Sequence, residues 1–450
     1  MSSTEFDLVV LGTGPSGGTV ARQIAERGQR VAIVDAREFG GVCALRGCNP
    51  KKVYVNAGAV VDQVRRAQGS LLSQGEASID WSQLHQFKRQ FTQPVLDSSE
   101  DKYRDAGIAT YHGAAEFLSP SRLRIEDAEL QAKRVLIATG AKPVPLGIDG
   151  EQHILHSDDF LGLSELPERI LFIGGGYVSM EFAHVVARCG RTVAVVQNDS
   201  RILTGFDADM VESLTRYSRE QGIRFHLDAS VTAVERQDGG GLRAVLSDGQ
   251  SIATDMVIHG AGRVPNIDKL NLDAGEVEFG KQGVAVDQYL RSVSNPRVYA
   301  TGDCADSDVP RLTPVANEEA RAVVVNLAAD EPHAVADYGV VPSVAFTTPS
   351  IASIGLSEAE ARKQCDKLRV HADDMSSWGS VRKTGGTVAA YKILIDGNTD
   401  RILGAHLLGP AAEETINLFA LAMKHDLTAA DIKSTLFVFP TFASDVRQML

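Results

Sequence analysis

Two cysteines, Cys43 and Cys48, stand with four residues between them in Gly41-Val42-Cys43-Ala44-Leu45-Arg46-Gly47-Cys48-Asn49-Pro50-Lys51-Lys52. A thiol pair this close can cycle between dithiol and disulfide and so carry two electrons, which an isolated structural thiol cannot do. The pair follows a strand–turn–helix unit of the dinucleotide-binding type. It also falls at the expected start of a helix near Pro50, whose N-terminus, together with the cation Lys52, would lower a thiol's pKa. A second Cys or His pair at ligand spacing is missing, so zinc is disfavoured and no metal site is expected. The chemistry on offer is thiol–disulfide exchange beside a redox cofactor.

The elements that must hold this pair are legible upstream. Phe6-Asp7-Leu8-Val9-Val10-Leu11 reads as a strand, Gly12-Thr13-Gly14-Pro15-Ser16-Gly17 as a tight turn, and the residues through Ala25 as a helix. A second strand, Val31–Val34, ends in Asp35, 23 residues after Gly12. Gly12, Gly14 and Gly17 allow a pyrophosphate to approach the helix N-terminus, and Asp35 is placed to hold ribose hydroxyls. A second unit begins with the strand Ile170–Ile173 and turns through Gly174-Gly175-Gly176-Tyr177-Val178-Ser179. It continues as a helix over Met180–Ala187 and a strand over Thr192–Val196. Here Ser179 replaces the third glycine, and Gln197 rather than an acid ends the strand. Two such units, 162 residues apart from Gly12 to Gly174, imply two dinucleotides with electron transfer between them. The fold class that follows is α/β with two doubly wound dinucleotide-binding domains.

At 450 residues there is room for two or three domains, and 44 % hydrophobic with 23 % charged residues is ordinary for a soluble globular chain. A formal net charge of −13 argues against binding nucleic acid or an anionic membrane. No basic segment leads into a long apolar run and no stretch has the length of a membrane span, so a cytoplasmic protein is expected. Five cysteines are too few for a secreted disulfide scaffold, and Cys189, Cys304 and Cys365 read as buried or incidental thiols. Asp207–Asp255 reads as helix and alternating strands with a hairpin turn at Asp238-Gly239-Gly240-Gly241. Pro332 to Pro342 marks a boundary. Beyond it come strands at Val344–Phe346, Tyr391–Ile395 and Ile402–Leu408 and a helix at Glu413–His425, an α+β domain for substrate or subunit contacts.

The chain resembles the FAD-dependent pyridine nucleotide–disulfide oxidoreductases, among them glutathione reductase, dihydrolipoamide dehydrogenase, mycothione reductase and mercuric reductase. The resemblance rests on Gly12–Gly17 and the Cys43–Cys48 pair, and on Ala138-Thr139-Gly140 and Gly262-Arg263-Val264-Pro265-Asn266, similar to the family's two returning segments. Ala300-Thr301-Gly302-Asp303 is similar to the segment whose aspartate contacts the FAD ribityl chain, and Leu312-Thr313-Pro314-Val315-Ala316 to the helix start beneath the flavin. Ile402-Leu403-Gly404-Ala405-His406 is similar to a strand of the dimerisation domain. It implies an FAD-binding domain over residues 1–148, an NAD(P)-binding domain over 149–264, a returning central segment over 265–335 and a C-terminal interface domain over 336–450. It also implies a homodimer that shares its active sites. FAD would be held by Gly12–Gly17, Asp35, Gly41, Val42, Lys52, Thr139, Gly140, Gly262, Arg263, Gly302, Asp303 and the Leu312-Thr313-Pro314 turn. The nicotinamide dinucleotide would be held by Gly174, Gly176, Tyr177, Gln197 and Arg201, with Tyr177 gating its pocket. Lys52 and Glu181 match an ion pair near the reactive flavin nitrogen. Cys48 would be the charge-transfer thiolate and Cys43 the thiol that attacks a small disulfide.

The resemblance fails near the C-terminus. Disulfide-reducing relatives read His-Pro-Thr there, with a glutamate three residues after the threonine; the partner subunit's histidine protonates the leaving thiolate and the glutamate orients it. Here these positions are Phe439 and Ser444, and Asp445 is one residue late, about 100° around a helix. A positioned acid–base group contributes about 10²–10⁴ in rate. Either the acceptor is a disulfide with an acidic leaving thiol, a disulfide protonated by another group such as Asp445 or a substrate amine, or a non-disulfide (a metal ion, a quinone or a protein carrier), or Phe437 and Phe439 simply pack a core and this step is lost. A chain ending Arg447-Gln448-Met449-Leu450 lacks the terminal cysteine pair of mercuric reductase, which disfavours mercury. Arg201 reads equally as a ligand for a 2′-phosphate and as a solvated surface arginine, while Ser179 and Tyr177 resemble glutathione reductase and point to NADPH as donor, with NADH possible.

Overall fold

The computed structural model describes residues 4–69, 71–73 and 77–450. The chain divides into two compact units, one built from Met1–Lys51, Phe87–Val144 and Gly262–Tyr338, the other from Lys52–Gln86, Pro145–Ala261 and Gly339–Leu450.

The first unit is organised by the apolar run Leu8-Val9-Val10-Leu11, buried to the last side chain. A strand this apolar has to be covered on both faces. Leu8 and Val10 enter one core with Val20, Ala21 and Ile24 of the helix Pro15–Ala25, while Val9 and Leu11 enter another with Phe117, Leu123 and Ile137. The sheet runs in the order Ala109–His112, Val31–Asp35, Thr4–Leu11, Ala128–Ile137, Arg122–Ile125, Ala115–Ser119, and Val298–Ala300 also pairs with Ala128–Ile137. Arg122–Ile125 pairs antiparallel with both Ala128–Ile137 and Ala115–Ser119, making an antiparallel ribbon on the edge; the other pairings are parallel.

The second unit holds a five-stranded parallel sheet, ordered Ile223–His226, Thr192–Val196, Arg169–Ile173, Met256–His259, Ile154–Leu155. The helix Tyr177–Arg188 packs against it. Beside it, Val231–Arg236, Leu242–Leu246 and Ser251–Thr254 make an antiparallel ribbon. Its first turn needs Gly240 at φ +88° and Gly241 at φ +82°, as the glycine cluster predicts. The same unit contains an antiparallel sheet ordered Ser343–Ala345, Ser350–Gly355, Ile402–Gly409, Ala390–Asp396, Leu368–Asp374, with the helix Ala412–Lys424 on one face. Leu368–Asp374 escapes the sequence reading although Leu368, Val370 and Ala372 alternate with Arg369, His371 and Asp373: it is an edge strand, about half of it exposed, and rich in charge. The architecture is the expected α/β class: two doubly wound parallel sheets with a C-terminal α+β portion. Among the described residues no helix is long and apolar enough to cross a membrane.

Candidate active site

Cys43 lies in the short helix Gly41–Leu45, and Cys48 is the first residue of the helix Cys48–Ala67. That helix starts two residues before Pro50, since the Lys51 N–H already reaches the Gly47 carbonyl at 3.0 Å. Pro50 sits in the first turn, where a missing N–H costs nothing. A second helix, Thr313–Ala328, begins at Thr313 with Pro314 in its first turn. The Thr313 hydroxyl stands 3.3 Å from Cys43 Sγ and 3.5 Å from Cys48 Sγ. Two helix N-termini therefore meet at the two sulfurs, and both favour negative charge there.

The charge settles on Cys48. Its thiol is pulled down to about 6, first by a hydrogen bond from Cys43, then, against burial, by the Thr313 hydroxyl and the charge of Lys51. Cys43 moves the other way, raised by the same Cys48 contact and by burial. The cation acting on the thiolate is thus Lys51, not Lys52 as the sequence implied. Lys52 places its ammonium over the ring of Phe346. The buried Glu181 accepts the Phe346 N–H at 3.0 Å, so both members of the expected ion pair are organised on Phe346.

Around the first glycine turn the chain leaves room for a dinucleotide. Gly12 has φ +108°, and a side chain there would overlap the Ala138 carbonyl, whereas nothing stands within 4 Å of where a Gly14 side chain would begin. No side chain caps the helix Pro15–Ala25, so its N-terminal N–H groups face that space. Gly41, at φ +71°, comes so near Gly14 that a Cβ would lie 2.5 Å from its Cα; this seats the cysteine segment directly on the turn. Asp35 has a local duty as well: one oxygen accepts the Thr13 N–H at 2.9 Å and hydroxyl at 2.6 Å, the other the Arg37 N–H at 3.0 Å. The second oxygen keeps a lone pair for a ribose hydroxyl. Thr301 has a buried hydroxyl without a partner among the described residues, and burial pushes the Asp303 carboxyl up against the pull of Arg263 and Arg311. An uncapped helix end, an orphaned hydroxyl and a desolvated carboxyl fit FAD. Glu319 escaped the sequence reading: fully buried, it accepts the Gly302 N–H at 2.5 Å and the Ser307 and Tyr338 hydroxyls, fixing the turn that carries Asp303. A glutamate inside an apolar helix was its one visible signal.

The second turn is built differently. Gly174 has φ +89°, Gly176 caps the helix, and Tyr177 opens it, 45 % exposed. Gln197 accepts the Gly175 N–H at 2.6 Å and donates to Asp199 at 2.5 Å. Asp199, which the sequence reading passed over, therefore brings a carboxylate to the strand end. Arg201 is committed to the carbonyls of Thr204 and Phe206, at 2.7 and 2.9 Å.

Phe439 is 79 % exposed, between Val438 at 80 % and the proline turn. Ser444 does not look toward it as an orienting group: it forms a capping box with Thr441, each accepting the other's N–H at 3.1 Å. Asp445 faces the other way, beside Ser380, and burial raises its carboxyl. It borders the small apolar space under Met375, Val381 and Leu407. Phe439 and Ser444 instead border a crevice of about 440 Å³ with Lys433, Phe437, Arg447 and Gln448.

Residues 6–320 match the family model of pyridine nucleotide-disulphide oxidoreductases, and residues 341–450 match the dimerisation domain of the same family. The chain belongs to the pyridine nucleotide-disulphide oxidoreductase family, FAD-dependent enzymes whose electron donor is NAD(P)H. It is 34 % identical to a glutathione reductase of Burkholderia cepacia, an alignment covering 99 % of this chain and 98 % of the relative. A dihydrolipoyl dehydrogenase of Chlamydia trachomatis is 30 % identical, over 97 % of this chain and 94 % of that one. The fold is shared with the Cu(II) complex of an HOCl-induced flavoprotein disulfide reductase from Escherichia coli, with TM-score 0.89 and 24 % identity over 100 % of this chain and 99 % of that one.

Proposed function

We propose that this enzyme reduces a small disulfide through Cys43 and Cys48. The observation that carries the reading is the Thr313 hydroxyl set between the two sulfurs at the meeting of two helix N-termini. FAD, when bound, supplies two-electron transfer from the nicotinamide to the cysteine pair. The turn Gly12–Gly17, Thr139, Gly140, Thr301 and Asp303 would hold it, and Lys52 with Glu181 would tune its electronics.

The protein's own groups do the rest. Cys48 holds the negative charge and accepts the proton of Cys43, which supports nucleophilic attack without a histidine base. Cys43 sulfur attacks one sulfur of the substrate, forming a mixed disulfide and releasing the first thiolate. Cys48 passes the proton it holds to that first thiolate, and the Cys48 thiolate then attacks the Cys43 sulfur of the mixed disulfide, closing the Cys43–Cys48 bond and releasing the second thiolate. No group at Phe439 protonates what leaves, so substrates with acidic leaving thiols are favoured. The same observation supports a second reading, in which the dithiol reduces a metal ion, quinone or protein carrier.

The donor reading shifts toward NADH. An acid at the strand end suits a free 2′-hydroxyl, and Asp199 stands there while Arg201 is engaged elsewhere. We place the protein in the cytoplasm as a homodimer, with the domain limits 1–148, 149–264, 265–335 and 336–450.

The deciding experiment is anaerobic. The holoenzyme is reduced with one equivalent of NAD(P)H, and its free thiols are counted before and after glutathione disulfide is added. Two thiols gained and then rapidly lost support the disulfide reading. Thiols that persist sink it in favour of the second.

A further inference from the structure

Phe346 is a platform that must itself be held: its ring carries the Lys52 ammonium and its N–H binds Glu181. It opens the bend between the antiparallel strands Ser343–Ala345 and Ser350–Gly355. That bend lies along the helix Tyr177–Arg188, and three side chains of the helix take its backbone in order. Glu181 accepts the Phe346 N–H at 3.0 Å, His184 Nδ1 accepts the Thr348 N–H at 3.2 Å, and Arg188 donates to the Thr348 carbonyl at 3.3 Å. Steps of three and four residues place all three on one stripe of the helix.

His184 is the middle rung, and its neighbours fix its tautomer. The Ser218 hydroxyl donates to the Leu214 carbonyl at 2.7 Å, so Ser218 Oγ is left to accept the proton of Nε2, 2.9 Å away. Nδ1 therefore keeps its lone pair for the Thr348 N–H, with Arg188 Nη1 also directed at it from 3.4 Å. Burial first, then the Arg188 charge, pushes the ring's pKa well below the usual histidine value, so it is neutral as this arrangement requires. Arg188, equally buried, is neutralised by Asp62 of the helix Cys48–Ala67, which also accepts from Arg66 and the Tyr217 hydroxyl. A buried ion pair adds little stability over apolar packing. What these polar groups add is direction: they specify how the bend sits on the helix.

We infer that His184 is a positioning residue: its Nδ1 lone pair sets the bend on the helix, and the bend sets Phe346, on which Lys52 and Glu181 are organised. The inference rests on the reading that Lys52 and Glu181 tune bound FAD, and it adds the residue that keeps the two in place.

The test compares H184N and H184Q in the holoenzyme. Asparagine carries an amide oxygen where Nδ1 stands but does not reach Ser218. Glutamine, nearer to histidine in size, reaches Ser218 and leaves the Thr348 N–H unmet. Deuterium exchange in the peptide spanning Phe346 and Thr348 should speed up about tenfold in H184Q, the loss of roughly one hydrogen bond, and stay near wild type in H184N. The midpoint potential of bound FAD should fall in H184Q, in the same sense as in K52M and by less, and hold in H184N. Equal behaviour of the two variants, or unchanged exchange in H184Q, would overturn the proposal and leave His184 a packing residue. A potential that moves in K52M but not in H184Q would overturn it as well. Faster exchange in H184Q with a potential that K52M itself does not move supports His184 as the holder of the bend and defeats only the flavin-tuning reading.

Discussion

At the residue scale, Thr313 supplies more of the sulfur chemistry than its type announces. A hydrogen bond to a charged group is worth about 1.5–3 kcal/mol, which corresponds to roughly one to two pKa units. Thr313→Val should therefore lift the Cys48 thiol from about 6 to 7 or above. A lowered thiol pKa means that thiolate is present above it and lost as pH falls through it. The variant's rate of alkylation by iodoacetamide should then begin to fall at a pH at least one unit higher than the wild type's, and coincident profiles would remove Thr313 from the account. The proposed donor preference rests on Asp199, and if it holds the wild type should use NADH with the higher kcat/KM. Asp199→Arg should invert or level the ratio, as measured by steady-state reduction of one acceptor with both nucleotides. A wild type that prefers NADPH would refute that assignment.

At the element scale, the last helix shows why a one-residue shift cannot be repaired by proximity. Ser444 closes the capping box with Thr441 while Asp445 turns to Ser380, so the carboxylate next in sequence lies on the wrong face. Phe439→His with Ser444→Glu should raise turnover of disulfides with basic leaving thiols by about 10²-fold or more and leave those with acidic ones nearly unchanged. Uniform gains, or none, would show that protonation at this position does not limit the enzyme. Much of this was readable beforehand. The run Leu8–Leu11, the turn Gly12–Gly17 and the cysteine spacing each combine a local pattern with a steric requirement, and local patterns are what a sequence displays. The missing parts were those set by tertiary approach. Thr313 lies 270 residues from Cys43, and Glu319 acts on Gly302 through the packing of a helix on a turn. The choice of Lys51 over Lys52 depended on where the helix begins, and an onset at Cys48 rather than Pro50 rotates one lysine to the sulfur and the other to Phe346.

At the scale of the whole molecule, the segment carrying Leu436, Val438 and Phe439 is 90, 80 and 79 % exposed, a concentration of apolar surface that a lone chain would leave in water. A second copy covering it accounts for that surface and agrees with the dimerisation domain over residues 341–450. Leu436→Asp with Val438→Asp should move the enzyme from dimer toward monomer in sedimentation and cost most of its disulfide turnover, and a fully active monomer would refute a shared site. The arrangement also has a genetic consequence. A copy of the gene damaged at Cys43 still encodes a sound C-terminal tip, and a copy damaged at the tip still encodes sound cysteines. Two such alleles in one cell should complement each other through mixed dimers in which one site of the two is whole, whereas two copies of either lesion should not.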